Sequence, residues 1–264
     1  MKAFASDLDR TLIYSKKMIG MYQAHSPYEP IEWLDGEEIS YISLKTKQAL
    51  KEINDTMLFI PVTTRTIQQY ERIRLFQEDI IPEYAITSNG GNILKNGTVL
   101  REWYNHIQEE LHSSVPLSEM IREIEGFSDN QWIKKVRQAD NLFIYLIIDR
   151  SLFSQDLLET LSAWSSNLGW QISLQGRKLY FVPHIINKWK AVKFLCDTLN
   201  IDYVYTAGDS LLDYDLIVNG NDGISPLHGE VLEHYSLLNS TKTFGMNASE
   251  EIVERIQKQT LTIT

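Results

Sequence analysis

Hydrophobic and polar positions change period repeatedly along the chain, and each change marks an element. A short apolar run, Ala3-Phe4-Ala5-Ser6, stops abruptly at Asp7-Leu8-Asp9-Arg10-Thr11. Unbroken apolarity over so few residues predicts a buried strand with those carboxylates at its C-terminal end. Leu44, Ala49, Leu50 and Ile53 share one helical face, and the apolar stretch 57–62 then predicts a second strand ending at Thr63-Thr64-Arg65. A helix around Tyr70, Ile73 and Phe76 leads to a third strand over 84–87. Strands alternating with helices predict a parallel sheet, in which ligands bind beyond the carboxyl ends of the strands.

The segment 14–40, which contains Pro27, Pro30 and Gly36, has no sustained helical period and reads as a long loop with room for a hairpin beside the first strand. Asn89-Gly90-Gly91 and Asn96-Gly97 bracket Ile93-Leu94, which predicts a β-hairpin after the third strand. Beyond Trp103 the texture becomes α+β, with helices at 117–125 and 157–168 and strands at 132–136, 142–148, 170–174 and 179–182. The α/β rhythm resumes with a helix that places Ala191, Phe194, Leu195, Thr198 and Leu199 on one face. A strand over 203–207 then ends at Gly208-Asp209-Ser210, followed by a helix through Leu216 and Ile217, a short strand at 223–225 and a terminal helix around 251–258. The expectation is an α/β protein: a Rossmann-like parallel-sheet core from residues 1–103 and 183–264, with an α+β domain, 104–182, inserted into it.

Composition narrows the possibilities. The 264 residues are 43% hydrophobic and 23% charged, which excludes collagen-like, coiled-coil and wholly disordered chains. With 25 Lys+Arg against 35 Asp+Glu, the net charge of -10 opposes a nucleic-acid backbone. The longest purely apolar stretch, 142–148, is far short of the ~20 residues needed to span a bilayer, so no membrane partner is expected. Asp7 and Asp9 interrupt the first apolar run, against a signal peptide. A single cysteine, Cys196, permits no intrachain disulfide and points to a reducing, cytoplasmic setting; its place on an apolar helix face makes it a core residue. Monomer and homodimer both remain open.

The chemistry concentrates at two strand ends, Asp7-Leu8-Asp9-Arg10-Thr11 and Gly208-Asp209-Ser210-Leu211-Leu212-Asp213. Brought together across a parallel sheet, Asp7, Asp9, Asp209 and Asp213 would crowd carboxylates whose mutual repulsion calls for a cation. Hard oxygen ligands of this kind suit Mg²⁺, and the chain has no His-x-His, His-Glu-x-x-His or Cys-x-x-Cys pattern that would suit zinc. Trp132, Trp164, Trp170 and Tyr180 in the inserted region read as its core, and Lys134, Lys135, Arg137, Arg177 and Lys178 mainly as a solvated strand face.

In these motifs and their order the sequence resembles the haloacid dehalogenase (HAD) superfamily of phosphohydrolases. The four family motifs correspond to Asp7–Thr11, Thr63, Lys188, and Gly208-Asp209 with Asp213. The insertion point, the Thr63-Thr64-Arg65 variant of a Thr-Gly-Arg pattern and the Ser88-Asn89-Gly90-Gly91 turn resemble the Cof-type and sucrose-phosphate-phosphatase-like branch, whose inserted domain is a mobile cap. The opening Asp-Leu-Asp-Arg-Thr-Leu-Ile-Tyr-Ser also resembles a subgroup from tellurium-resistance-type stress gene clusters.

The resemblance implies a Mg²⁺-dependent phosphatase acting on a small phosphorylated metabolite such as a sugar phosphate. Asp7 would be the nucleophile, Asp9 the general acid and base, and Thr63 and Lys188 the groups that stabilise the transferring phosphoryl. Mg²⁺ would be held by Asp7, Asp209, the Asp9 main-chain carbonyl and Asp213, the last directly or through another group. Arg10, Thr64, Arg65, Asn89 and Gly90 would contact phosphate or substrate; Arg10 and Thr64 stand where the family usually has glycine. Lys190 rivals Lys188 through a two-residue shift, with the helix's apolar face favouring Lys188. A phosphomutase using the same aspartyl-phosphate, and a non-catalytic metal- or phosphate-binding module, are the alternatives.

Overall fold

The computed structural model describes residues 1–126 and 131–261. The chain divides into two units, one from Met1 to Leu100 together with the segment from Lys188 onward, the other Arg101–Asn187.

In the first unit, β1 (Lys2–Ser6) is buried from Ala3 on, as a central parallel strand must be. The segment expected to be mainly loop is largely ordered. It forms β2 (Tyr14–Ser15), α1 (Lys16–Met21) and the hairpin of β3 (Tyr28–Leu34) and β4 (Glu37–Ser43), which make a three-stranded sheet of their own. Asp35 and Gly36, both at positive φ, supply the tight turn that the polar composition concealed. α2 (Leu44–Thr56) starts where the Ser43 side chain accepts a hydrogen bond from the Thr46 amide, and it buries Ala49, Leu50 and Ile53.

β5 (Leu58–Pro61) pairs in parallel with β1. The helix expected through Tyr70, Ile73 and Phe76 is instead broken. α3 (Ile67–Glu71) begins with a capping box of Thr66 and Gln69, and a separate wide turn covers Leu75–Asp79. The break lies where Ile73 bridges Glu32 of β3 and Arg72 reaches the Glu32 carboxylate.

β6 (Tyr84–Thr87), read as the third parallel strand, meets the parallel sheet through one bridge, Val62 to Ile86, and the Thr63 amide bond to the Ile86 carbonyl. In a parallel strand alternate amides point to alternate neighbours, so Pro61 removes the donor that would have extended this ladder. β6 otherwise pairs antiparallel with β7 (Asn92–Lys95), and β8 (Thr98–Val99) completes a meander.

The second unit opens with α4 (Arg101–Glu110), a helix that the sequence reading passed over and inside which Trp103 lies. α5 (Leu117–Glu125), β9 (Ile133–Ala139), β10 (Phe143–Ile148), α6 (Gln155–Asn167), β11 (Trp170–Gln175) and β12 (Lys178–Pro183) follow. The strands form an antiparallel sheet in the order β11-β12-β10-β9, and positive φ at Asp140 and Asn141 makes the β9–β10 turn. Trp132, Trp170 and Tyr180 are buried; Trp170 Nε1 donates to the Val115 carbonyl and Trp132 meets Phe153 edge-on. These aromatics belong to this unit's core.

The chain returns to the first unit with α7 (Lys188–Leu199), whose Ala191, Val192, Leu195 and Cys196 are buried. β13 (Tyr203–Ala207), α8 (Tyr214–Asn219), β14 (Asp222–Ile224), the short α9 (Val231–His234) and α10 (Met246–Leu261) complete it. α10 begins earlier than the periodicity around 251–258 indicated. The parallel sheet has the order β14-β13-β1-β5, and its register pairs Ser6 with Ala207 on one side and Pro61 on the other. Three strands therefore end level, which sets Asp7, Gly208-Asp209 and Thr63 along one edge. Among the described residues, no helix is long and apolar enough to cross a membrane.

Candidate active site

Asp7 leaves β1 with its amide bonded to the Ala207 carbonyl, so the backbone of the neighbouring strand fixes its position. One carboxylate oxygen accepts from Lys188 Nζ at 2.6 Å and the other from Thr11 Oγ1 at 3.1 Å. Lys188, the first residue of α7, is only 1% exposed, and its Nζ also donates to Asp213 at 2.6 Å. Lys190 lies on the exposed side of the same helix. The lysine that reaches the carboxylates is Lys188.

Asp213 is fully buried, and its second oxygen accepts from the Ser210 amide, the Ser210 hydroxyl and the Asp209 amide at 2.9, 2.7 and 3.2 Å. It thus folds the loop after β13 back on itself. A Cβ at Gly208 would lie 2.3 Å from the Asp213 Cβ, so this close approach requires glycine. Asp209 faces Arg10, whose Nε is 3.0 Å from the carboxylate, although the N–H direction does not make this a hydrogen bond.

Asp7, Asp209 and Asp213 each offer a carboxylate oxygen, all within 4.8 Å of one another. Burial pushes the Asp7 carboxyl up to about 7 against the opposing attraction of Lys188, while Asp213 adds to the rise. Burial also raises Asp209 well above the ordinary carboxylate range, with Arg10 opposing. For Lys188, burial alone would lower the pKa, but Asp213 and Asp7 outweigh it and hold the ammonium charged. When all three are ionised, the buried carboxylates outnumber the two cations beside them, and an oxygen-only donor set of this size fits a hard divalent cation such as Mg²⁺.

The Asp9 carboxylate lies outside this cluster. Arg65 grips it bidentately at 2.7 and 2.8 Å. The same guanidinium donates to Glu32 at 2.8 Å, and Glu32 also takes Arg72 and the Ser40 hydroxyl. Arg65, expected on phosphate, is thus engaged by two carboxylates. Burial works against its charge, but Asp9 and Glu32 raise its pKa above the usual value.

Thr63 is buried at the strand end, and its hydroxyl accepts from the Arg65 amide at 3.1 Å. Thr64 is half-buried beside it. Ser88, Asn89 and Gly90 run through three successive positive φ values of 51°, 57° and 98°. This tight turn is laced to the second strand end by the Asn89 amide on the Thr63 carbonyl and the Ser88 amide on the Arg65 carbonyl. These main-chain bonds hold Asn89 and Gly90, in the loop after β6, beside Thr63 in the loop after β5.

Sequence reasoning missed Glu32, a fully buried carboxylate inside a segment with no clear period, and His228 in a loop. His228 Nε2 donates to the Arg10 carbonyl at 2.8 Å, and Nδ1 accepts from the Gly245 amide at 3.2 Å. Burial lowers its pKa to about 4, which keeps the ring neutral. Neither residue belongs to a local motif.

A level parallel-strand edge carrying these carboxylates and a buried lysine defines the class as HAD-like, and comparison with solved structures agrees. The sucrose-phosphatase of Synechocystis sp. PCC6803, solved with sucrose and phosphate, aligns with a TM-score of 0.65 at 16% identity over 97% of each chain. A haloacid dehalogenase-like hydrolase from B. subtilis aligns with a TM-score of 0.62 at 16% identity, over 96% of this chain and 99% of the other. A HAD-superfamily phosphatase from Bacteroides thetaiotaomicron gives 0.58 at 14% identity, over 98% and 94%. The model of the sucrose-6F-phosphate phosphohydrolase family matches residues 1–239, and the chain belongs to that family of HAD phosphatases. Compared by sequence with curated proteins, it matches none.

Proposed function

We propose that the chain is a Mg²⁺-dependent phosphohydrolase that cleaves a small phosphate monoester, a sugar phosphate, through an aspartyl-phosphate on Asp7. The observation that carries this reading is the buried set of Asp7, Asp209 and Asp213, with Lys188 bonded to Asp7 at 2.6 Å. Family membership and the sucrose-bound cyanobacterial structure support a sugar as the leaving group.

Asp7, Asp209 and the Asp9 carbonyl would hold the metal, which when bound supplies positive charge against the phosphate oxygens. Asp213, which also fixes Lys188 and the loop that carries Asp209, would hold the metal directly or through another group. A carboxylate oxygen of Asp7 attacks phosphorus in line with the leaving group, and the sugar oxygen takes a proton from Asp9 as its bond to phosphorus breaks. Asp9 then removes a proton from water, whose oxygen attacks the phosphoryl group and regenerates Asp7. Lys188 and Thr63 hold charge and hydrogen bonds on the equatorial oxygens. Arg65 holds Asp9 as the ionised carboxylate, and Asp9 leaves this bidentate contact to carry the proton it gives the sugar oxygen; the unit Arg101–Asn187 serves as the cap that selects the leaving group.

The test is phosphate release from an aryl phosphate and a panel of sugar phosphates, with Mg²⁺ or EDTA, for wild type and Asp7→Asn. Release that needs Mg²⁺ and vanishes in the variant is expected. A folded, Mg²⁺-supplied wild type that releases nothing from any member would overturn the reading, and isomerisation of a hexose phosphate without release would replace it with a mutase.

A further inference from the structure

Arg10 adopts φ 67°, a left-handed conformation that side chains other than glycine rarely hold. The residue is nevertheless clamped. Its carbonyl accepts from His228 Nε2 at 2.8 Å, and its guanidinium donates to the His228 carbonyl at 3.3 Å. The His228 ring lies against Tyr22, with centroids 5.3 Å apart, and Tyr22 stacks on Phe244 at 5.4 Å. This scaffold holds the Arg10 Nε 3.0 Å from a carboxylate oxygen of Asp209, buried and without a hydrogen-bond partner of its own.

We propose that Arg10 is the built-in counter-ion of Asp209, one that a divalent cation must displace, so that metal loading is coupled to arrival of the substrate's phosphate. The proposal rests on the phosphatase reading above and concerns how its metal site is tuned. Lys188 already meets Asp7 and Asp213, and Arg10 meets Asp209, so every carboxylate of the cluster has a cation in direct contact. With all three carboxylates ionised, a divalent ion added alone converts the residual negative charge into a positive one. A phosphate dianion added with it restores the balance and offers the Arg10 Nε an acceptor. Metal and phosphate therefore strengthen each other's binding, and by linkage the effect is reciprocal.

Calorimetric titration of Mg²⁺ into the metal-free full chain tests this, for wild type, Arg10→Gln and Arg10→Gly, with and without inorganic phosphate. The glutamine variant removes the charge but keeps the backbone constraint; the glycine variant removes both. Without phosphate, both variants should bind Mg²⁺ about tenfold more tightly than wild type, the order expected when a contacting, partly exposed cation is lost. With phosphate, the wild-type affinity should rise by about tenfold and the variants' by clearly less. Mg²⁺ affinity that is unchanged or weaker in both variants would overturn the proposal. So would variants whose Mg²⁺ affinity without phosphate equals that of wild type while the gain on adding phosphate is lost, which would make Arg10 a direct phosphate ligand. Asp209→Asn distinguishes this failure from failure of the phosphatase reading. If wild type binds no Mg²⁺, or if Asp209→Asn binds it as wild type does, the metal site itself is refuted and the proposal with it.

Discussion

Replacing Asp7 by asparagine should abolish turnover and, in the absence of metal, stabilise the fold. Burial raises the Asp7 carboxyl from 3.8 to about 7, so between those values the native state holds a proton that the unfolded chain has released. Native protons in excess mean that stability falls as pH rises through this window. The cost is nearly absent at pH 4, grows through pH 5 and 6, and is complete above pH 7. A shift of about three units corresponds to ~4 kcal/mol at most. Asparagine has no such charge to bury and preserves the shape, while Lys188 retains Asp213 as a partner. Thermal unfolding followed by circular dichroism in EDTA should therefore give Asp7→Asn a midpoint roughly 10 °C above wild type at pH 8, narrowing to nothing near pH 4. Saturating Mg²⁺ should close part of the gap at pH 8, because it binds the native wild type. A variant that is no more stable than wild type at pH 8, or whose advantage does not change with pH, would refute this account of the cluster.

Two further substitutions separate chemistry from support. Asp9→Asn should lower kcat by about 10²–10⁴-fold, because it removes the proton-transfer group. Its stability should change by less than ~1 kcal/mol, because that carboxylate is 48% exposed; a steady-state assay with a denaturation curve checks both, and near-wild-type turnover would exclude the role. Glu32→Gln leaves Arg65 and Arg72 without their shared buried carboxylate and should cost about 3 kcal/mol in urea denaturation. Unchanged stability would mean that Asp9 alone holds Arg65.

Much of the candidate site was legible because its residues follow strand ends. Asp7 terminates an apolar run, and Asp209 and Thr63 terminate two others, so period and polarity mark them without any knowledge of contacts. Lys188 was legible only through family resemblance, since a lysine at a helix start is ordinarily a surface residue. What escaped were residues whose role depends on distant partners: Glu32, which meets Arg65 and Arg72 from a separate hairpin, and His228, which meets Arg10 across the chain. The hairpin of β3 and β4 was concealed for a related reason. Its buried face includes Glu32 and Ser40, so the usual alternation of apolar and polar positions is lost.

By itself, the sequence determined the alternation of strands and helices, the inserted α+β segment and the two carboxylate-bearing strand ends, because these rest on local period and turn chemistry. Only the tertiary structure decided which groups meet. The level register of β1, β5 and β13 brings Asp7, Thr63 and Asp209 to one edge, and burial there sets the two aspartates against Lys188 and Arg10. It settled that Lys188 rather than Lys190 reaches Asp7, that Asp213 spends its oxygens on Lys188 and Ser210, and that Arg65 and Arg10 face carboxylates. Pairing of charges across long sequence separations is a property of three-dimensional proximity and low dielectric, and no local pattern in the chain encodes it.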